Sequence, residues 1–553
     1  MSEKSRMDSK VADALIDSLL QRIARDGFRL VGSLSQLERE AILRKIGPQP
    51  SASAVVTPVQ QPATKSEKRV PRKPAPVWKL DPGCLSSQPQ RKPVVGIDFG
   101  TAFSKASLWR KGNRHPTPLD LSRSATGGHG VLLESTLYID ADQIIQFGPK
   151  AIEASRSTSD LSRRRFDSPK QILSIAGVEG LSTRAETQVD PAGVFTNRDL
   201  LTLYLAYLTA MICDQLQRLG INRHVTRRFA VPVWSASQVE ETSRILTQML
   251  VDAQILADSV PLNAWNSGID ANAAKGVLEQ LRSKVTDTDE RRKKSKLVER
   301  HVLEAAAAAS AIGDQLENRR PVAVVMDIGA GTTDIGIYHF VFPSNRSGIP
   351  PKISALKGGA IAKKIAGDRL DDLLLEFIRR AARLNEGDAV LFRTRRDIRD
   401  IKQRFFSAGR LRVEGLDDLE FKLNDFVQGK AVQNYRSELR RALEDLLASV
   451  GVGNIYREDG VIGVLTGGGS AEAIFGDFFD HPFSVSGQLI KFRRLRATPK
   501  WLHDLDPAYA AVFPQLAVAL GVSSENLPDE TSPITCLPNS DLRVLGLAPM
   551  YRS

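Results

Sequence analysis

Two segments in separate halves of the chain, Val94–Trp109 and Val322–Tyr338, follow one plan, and that plan restricts the fold more than any other feature. Each opens with a short apolar strand that runs into an aspartate, Asp98 or Asp327. A glycine-containing turn follows, and then a second strand-like run. Glycine allows a tight turn and a close backbone approach to a ligand. Small residues in the turn leave N–H groups free to face phosphate oxygens. An aspartate at the strand end can then hold a hydrated Mg²⁺ beside them. The chain has no G-x-x-x-x-G-K-[ST] P-loop, and neither turn leads into the helix of a dinucleotide fingerprint. One such hairpin reads as an ordinary turn. Two, each with its aspartate, predict a nucleotide site. A third signal is the apolar run 461–466, which leads into Gly467, Gly468, Gly469 and Ser470, a flat surface for a base and ribose.

Around these motifs, strands and helices alternate from Val94 onward, which predicts an α/β architecture. The net charge of +12 is unevenly placed. Residues 48–93 hold ten of the 29 prolines and eight basic against two acidic residues, half of the excess charge. That composition predicts a linker. Residues 1–47 read as two short amphipathic helices for docking or partner binding. The polar face of the first carries both charge signs, which argues against membrane contact. The three cysteines, Cys84, Cys213 and Cys536, have no paired spacing, and the seven histidines are scattered. Neither a disulfide framework nor a cysteine–histidine metal centre is indicated. Without a secretory leader pattern or a spanning apolar run, the expectation is a cytoplasmic protein with no membrane span. Nucleic acid stays a minor possibility as partner, and the oligomeric state is open.

The order hairpin, hairpin, glycine run resembles the actin, hexokinase and 70-kDa heat-shock ATPase superfamily. Phe166–Leu173, Phe229–Trp234 and Glu304–Ala309 are similar to segments of its heat-shock (DnaK-type) branch. The resemblance covers roughly residues 94–528. It implies a two-lobed actin-like fold built on duplicated ribonuclease-H-like sheets: lobe I over 94–320, lobe II over 321–502, and a closing helix over 503–527 that returns to lobe I. A tail occupies 528–553. It also implies ATP or ADP with Mg²⁺ in the cleft between lobes. Asp98 and Asp327 would hold the ion through water, with Asp334 supporting those waters. Gly100, Thr101, Gly329, Ala330, Gly331 and Thr332 would wrap the phosphates. Lys170 would reach the γ-phosphate, or else be a surface lysine. Glu304 would position the attacking water or the metal shell, or else cap the alanine-rich helix. Gly467, Gly468, Gly469 and Ser470 would contact the nucleoside, with Lys402 near the adenine.

Departures from the pattern are informative. Ala102 stands where the family commonly has a threonine, Ala305 replaces a proline, and a basic relay residue is missing near 238–241. Residues 263–296 read as an insertion ending in the basic run 291–296. The residues given after Ser470 are too few for the family's peptide-binding domain, so the expectation is an ATPase fold without it. The expected function is a slow Mg²⁺-dependent ATPase with nucleotide-switched binding of a protein partner or a chaperone-like role. An actin-like assembly protein and a binding-only pseudo-ATPase are the alternatives.

Overall fold

Both glycine-turn segments fold as antiparallel hairpins, and each hairpin sits at the centre of its own six-stranded sheet. The computed structural model describes residues 75–534, apart from 87–88, 123–129, 176, 234–235, 284–289, 291–293, 317–320, 343–350, 456–459 and 496–497. The helices expected in 1–47, the proline-rich stretch up to 74, the C-terminal residues 535–553 and residues 291–293 of the basic run lie outside the described residues.

In the first sheet, β1 (Gln90–Asp98) pairs antiparallel with β2 (Phe103–Trp109), and β2 with β3 (Thr117–Pro118) and β4 (Leu133–Glu134). A small side sheet combines β5 (Thr136–Ile139), β6 (Ile144–Phe147), β7 (Phe166–Asp167) and β9 (Ile269–Asp270). On the other flank of β1, β8 (Val225–Val231) and β10 (Val298–Leu303) run parallel to it. The second sheet repeats this arrangement. Its β11 (Val322–Ile328) pairs antiparallel with β12 (Thr333–Val341), and β12 with β13 (Lys352–Lys363). Two short hairpins, β14–β15 (Arg410–Leu411, Phe421–Lys422) and β17–β18 (Phe483–Val485, Gln488–Ile490), stand apart from it. Parallel to β11 lie β16 (Val461–Thr466) and then β19 (Phe492–Arg494). β20 (Asp529–Ile534) adds an edge beside β13. Order and strand sense therefore match over five positions, so the echo in sequence is an echo in topology.

Ten helices matter for the site: α1 (Pro149–Ser157), α2 (Lys170–Ile175), α3 (Asn197–Arg218), α4 (Ala236–Ser259), α5 (Ala271–Ser283), α6 (Glu304–Ile312), α7 (Gly367–Ala381), α8 (Ala389–Ala408), α9 (Lys430–Val450) and α10 (Phe513–Ser523). One apolar core backs the first sheet and another the second. A third core joins residues of both around α6 and α10. Ala305 to Ala309 are all fully buried there. A Cβ on Gly521 of α10 would lie 1.7 Å from the Ala307 carbonyl oxygen, and one on Gly96 of β1 would lie 2.5 Å from the Ser523 nitrogen. The alanine run thus has a packing reason: the space beside α6 holds nothing larger than a methyl group.

Two stretches are more tightly packed than their composition suggests. Leu80 and Cys84, within the proline-rich 48–93, are buried in the first core, and β1 begins at Gln90. In 263–296, Trp265, Val277, Leu278 and Leu281 enter the same core, while Ile269 pairs with Ile145. Among the described residues, no helix is long and apolar enough to cross a membrane.

Candidate functional site

Each hairpin delivers its aspartate to the end of a buried strand, and the two turns meet. A Cβ on Gly331 would lie 3.0 Å from Thr101 Oγ1, and on Gly329 3.0 Å from the Thr332 carbonyl oxygen. Gly100 has no space for a side chain, since a Cβ would stand 2.2 Å from the Phe103 carbonyl oxygen. The glycine run after β16 folds over the second turn: the Gly469 N–H donates to the Ile328 carbonyl at 2.8 Å. Gly467 there takes φ +85, and its Cβ would fall 2.3 Å from Ile328 O. The start of α7 closes the ring, with the Gly367 N–H on Gly329 O at 2.9 Å and the Asp368 N–H on Ala330 O at 2.7 Å.

These elements enclose a cavity of about 130 Å³. Asp98, Gly100, Thr101, Lys170, Glu304 and Asp327 line it, as do Gly329, Ala330, Gly331, Thr332, Lys402 and Gly467 to Gly469. Ser470 is not on this wall; its hydroxyl donates to Gly467 O at 2.7 Å, and it lines a neighbouring cavity of about 560 Å³. The two spaces share Gly467, Gly468 and Gln515. Asp334 also lies off the wall. It is the cross-strand partner of Asp327, and its Oδ1 accepts the Val233 N–H at 2.6 Å, tying the second hairpin to the residue after Pro232.

The charges inside are unbalanced. Lys170 heads α2 and Glu304 heads α6; both are buried, and the lysine ammonium donates directly to the Glu304 carboxylate. Burial works against the charge on Lys170, but Glu304 and Asp98 together hold its pKa above the ordinary lysine value. Glu304 therefore occupies the helix N-terminus expected of a capping acid while also facing the cavity. Asp98 is bridged by Lys105 at 2.5 Å. Asp327 accepts a hydroxyl, Thr466 Oγ1 at 2.9 Å, and forms no ion pair among the described residues. Burial, with Glu304 and Asp98 adding repulsion, pushes it up to about 7. Asp334 is likewise raised well above the usual carboxylate range by burial and by Glu304. Around the two hairpins, Asp98, Glu304, Asp327 and the adjacent Asp334 thus meet only Lys105 and Lys170 among the described residues, because Arg399 and Lys402 on the same wall are paired with Asp368 and Asp371.

That excess suits a cation, and the Oδ2 of Asp334 is buried without a hydrogen-bond partner among the described residues. Among those residues no group of three or more His, Cys, Asp or Glu is placed to hold a metal directly.

Sequence reasoning missed Lys105, although Asp98 and Lys105 stand equidistant from the turn and so oppose each other in the ladder. It also missed Gln515, Phe406, Gln403 and Arg399 on the cavity wall. Lys402, placed near a base by resemblance, bonds Asp371 at 2.6 Å and Gly367 O at 3.1 Å. Arg399 pairs with Asp368 at 3.0 Å and also donates to Ser168 Oγ, while Gln171 of α2 donates to Asp368. The two sheets' attachments are thereby fastened together beside the cavity. Neither a protein-family model nor a curated protein matches this chain.

Proposed function

We propose that the chain is a nucleotide-binding protein of the actin-like, two-lobed kind, in its heat-shock-70-like form, which takes ATP with Mg²⁺ and hydrolyses it slowly. One observation carries the reading: two glycine-turn hairpins, the Lys170–Glu304 pair and the glycine run 467–469 converge on one cavity. The joined 560 Å³ space is of a size for the nucleoside, and the glycine turns are of a shape for the phosphates. Bound Mg²⁺ would supply the positive charge that offsets the terminal phosphates. Asp98 and Asp327 would hold its waters, Asp334 supporting them, and the turn N–H groups would orient the phosphate oxygens. A γ-phosphate competes with Glu304 for the Lys170 ammonium, and the released carboxylate then accepts a proton from the attacking water. Cleft closure would present the result to a protein partner.

ATP binding and turnover of the purified chain, with and without Mg²⁺, test this. Lys170→Met is expected to bind ATP within a few-fold of the parent and to lose about 10²–10³-fold in turnover. No ATP or ADP binding at millimolar nucleotide overturns the reading; normal turnover in Lys170→Met removes that lysine from the mechanism. A second reading, binding without hydrolysis, is favoured by the same pair: Lys170 is already occupied by Glu304 and Asp98 by Lys105. Tight binding with no turnover in the parent selects it.

A further inference from the structure

Another cavity, of about 470 Å³, lies beyond α2 and shares no lining residue with the two just described. The turn before β7 contributes Arg163, Arg164 and Arg165, and α8 contributes Arg393, Arg395 and Arg396. Three acids, Asp160, Asp167 and Glu186, also line it. Four of the arginines are engaged. Arg163 pairs with Asp160 at 3.3 Å, Arg165 with Asp167 at 3.1 Å, Arg395 with Glu386 at 3.5 Å and Arg396 with Asp397 at 3.1 Å. Arg164 and Arg393, one from each half, are exposed, and neither side chain has an ion pair or hydrogen bond among the described residues. Below them the cavity is apolar, with Phe166, Ile172, Val189 and Phe392, and Leu161 stands 42% exposed at its edge.

We propose that this cavity binds a segment of a partner protein in which acidic residues flank a large apolar side chain. Unpaired guanidiniums present a planar fork that matches carboxylates. Like charges over a low-dielectric wall draw in an anionic segment. Burying an apolar side chain on the floor adds the hydrophobic term that a bare anion lacks, and the volume is of the size that holds a few side chains. Nucleic acid fits less well: the lining aromatics are buried (Phe166) or half-buried (Phe392), so no open ring face is offered to a base. The inference stands independently of the nucleotide reading.

The test is fluorescence anisotropy of the full chain with a labelled hexapeptide, Asp-Glu-Leu-Phe-Glu-Asp. Saturable binding is expected, weakened at least tenfold by the double variant Arg164→Glu with Arg393→Glu. It is also expected to weaken at least tenfold when the peptide's acids are replaced by amides, or its Leu-Phe by Ser-Ser. Arg441→Glu, the same kind of charge reversal at a single exposed site on α9, is expected to leave the affinity unchanged, as is Asp327→Asn in the other cavity. Thermal melts establish that the variants are folded. No saturable binding overturns the proposal. So does an unchanged affinity in the double variant, an equal loss in Arg441→Glu, or tighter binding of a single-stranded oligonucleotide that the double variant abolishes.

Discussion

The two hairpins share a backbone plan and differ in how they treat their aspartates. In the first, the residue opposite Asp98 is Lys105, and the pair neutralises itself inside the protein. In the second, the residue opposite Asp327 is another carboxylate, Asp334, and no lysine is supplied. The first turn is therefore electrostatically complete, whereas the second holds an unsatisfied demand for positive charge. A repeated fold need not repeat its electrostatics: one cross-strand position decides whether an aspartate meets a counter-charge or a second carboxylate.

Removing one aspartate at a time breaks that comparison most sharply. Asp98→Asn leaves Lys105 buried without its counter-charge and is expected to cost about 3 kcal/mol, read as a fall in denaturation midpoint. Adding Lys105→Met should recover most of the loss. Asp327→Asn removes a repelled charge and is expected to hold or raise stability at pH 8 while abolishing any Mg²⁺-induced rise in melting temperature.

The second aspartate also predicts a pH dependence. Between about pH 4 and pH 7 the folded protein keeps a proton on Asp327 that the unfolded chain has released. The stability contributed by this group is therefore full below this window and is lost as the pH rises through it, by up to a few kcal/mol. Melts at pH 5 and pH 8 should differ in the parent and differ less in Asp327→Asn. The smallest effects separate the turns themselves. Gly100→Ala drives a methyl group into a backbone oxygen and should cost about 1–3 kcal/mol, whereas Gly331→Ala meets the movable Thr101 side chain and should cost less than about 1 kcal/mol.

What was legible in the sequence is what is local. A strand, an aspartate, a glycine turn and a second strand lie within sixteen or seventeen residues, and their repetition located both sheet centres and most of the cavity wall. Lys105 was legible in principle from hairpin register. The contacts of Arg399 and Gln171 with Asp368 were not, because they join residues brought together only by the packing of the two halves. The region 263–296 was read by its basic end. Its apolar residues at helical spacing, Val277, Leu278 and Leu281, carry the opposite message and pack in the core. Likewise Leu80 and Cys84 hide in a proline-rich stretch whose average composition masks two good core residues.

The methyl-only packing around α6 has a mechanical consequence. Alanine has no rotamers, so five buried alanines in succession cannot absorb a displacement by repacking, and Gly521 leaves no slack on the other side. Helix α6 can then move only as a rod. A shift imposed on Glu304 would then be carried along the rod to Ile312, eight residues further on, and so out of the cavity into the core shared by both sheets.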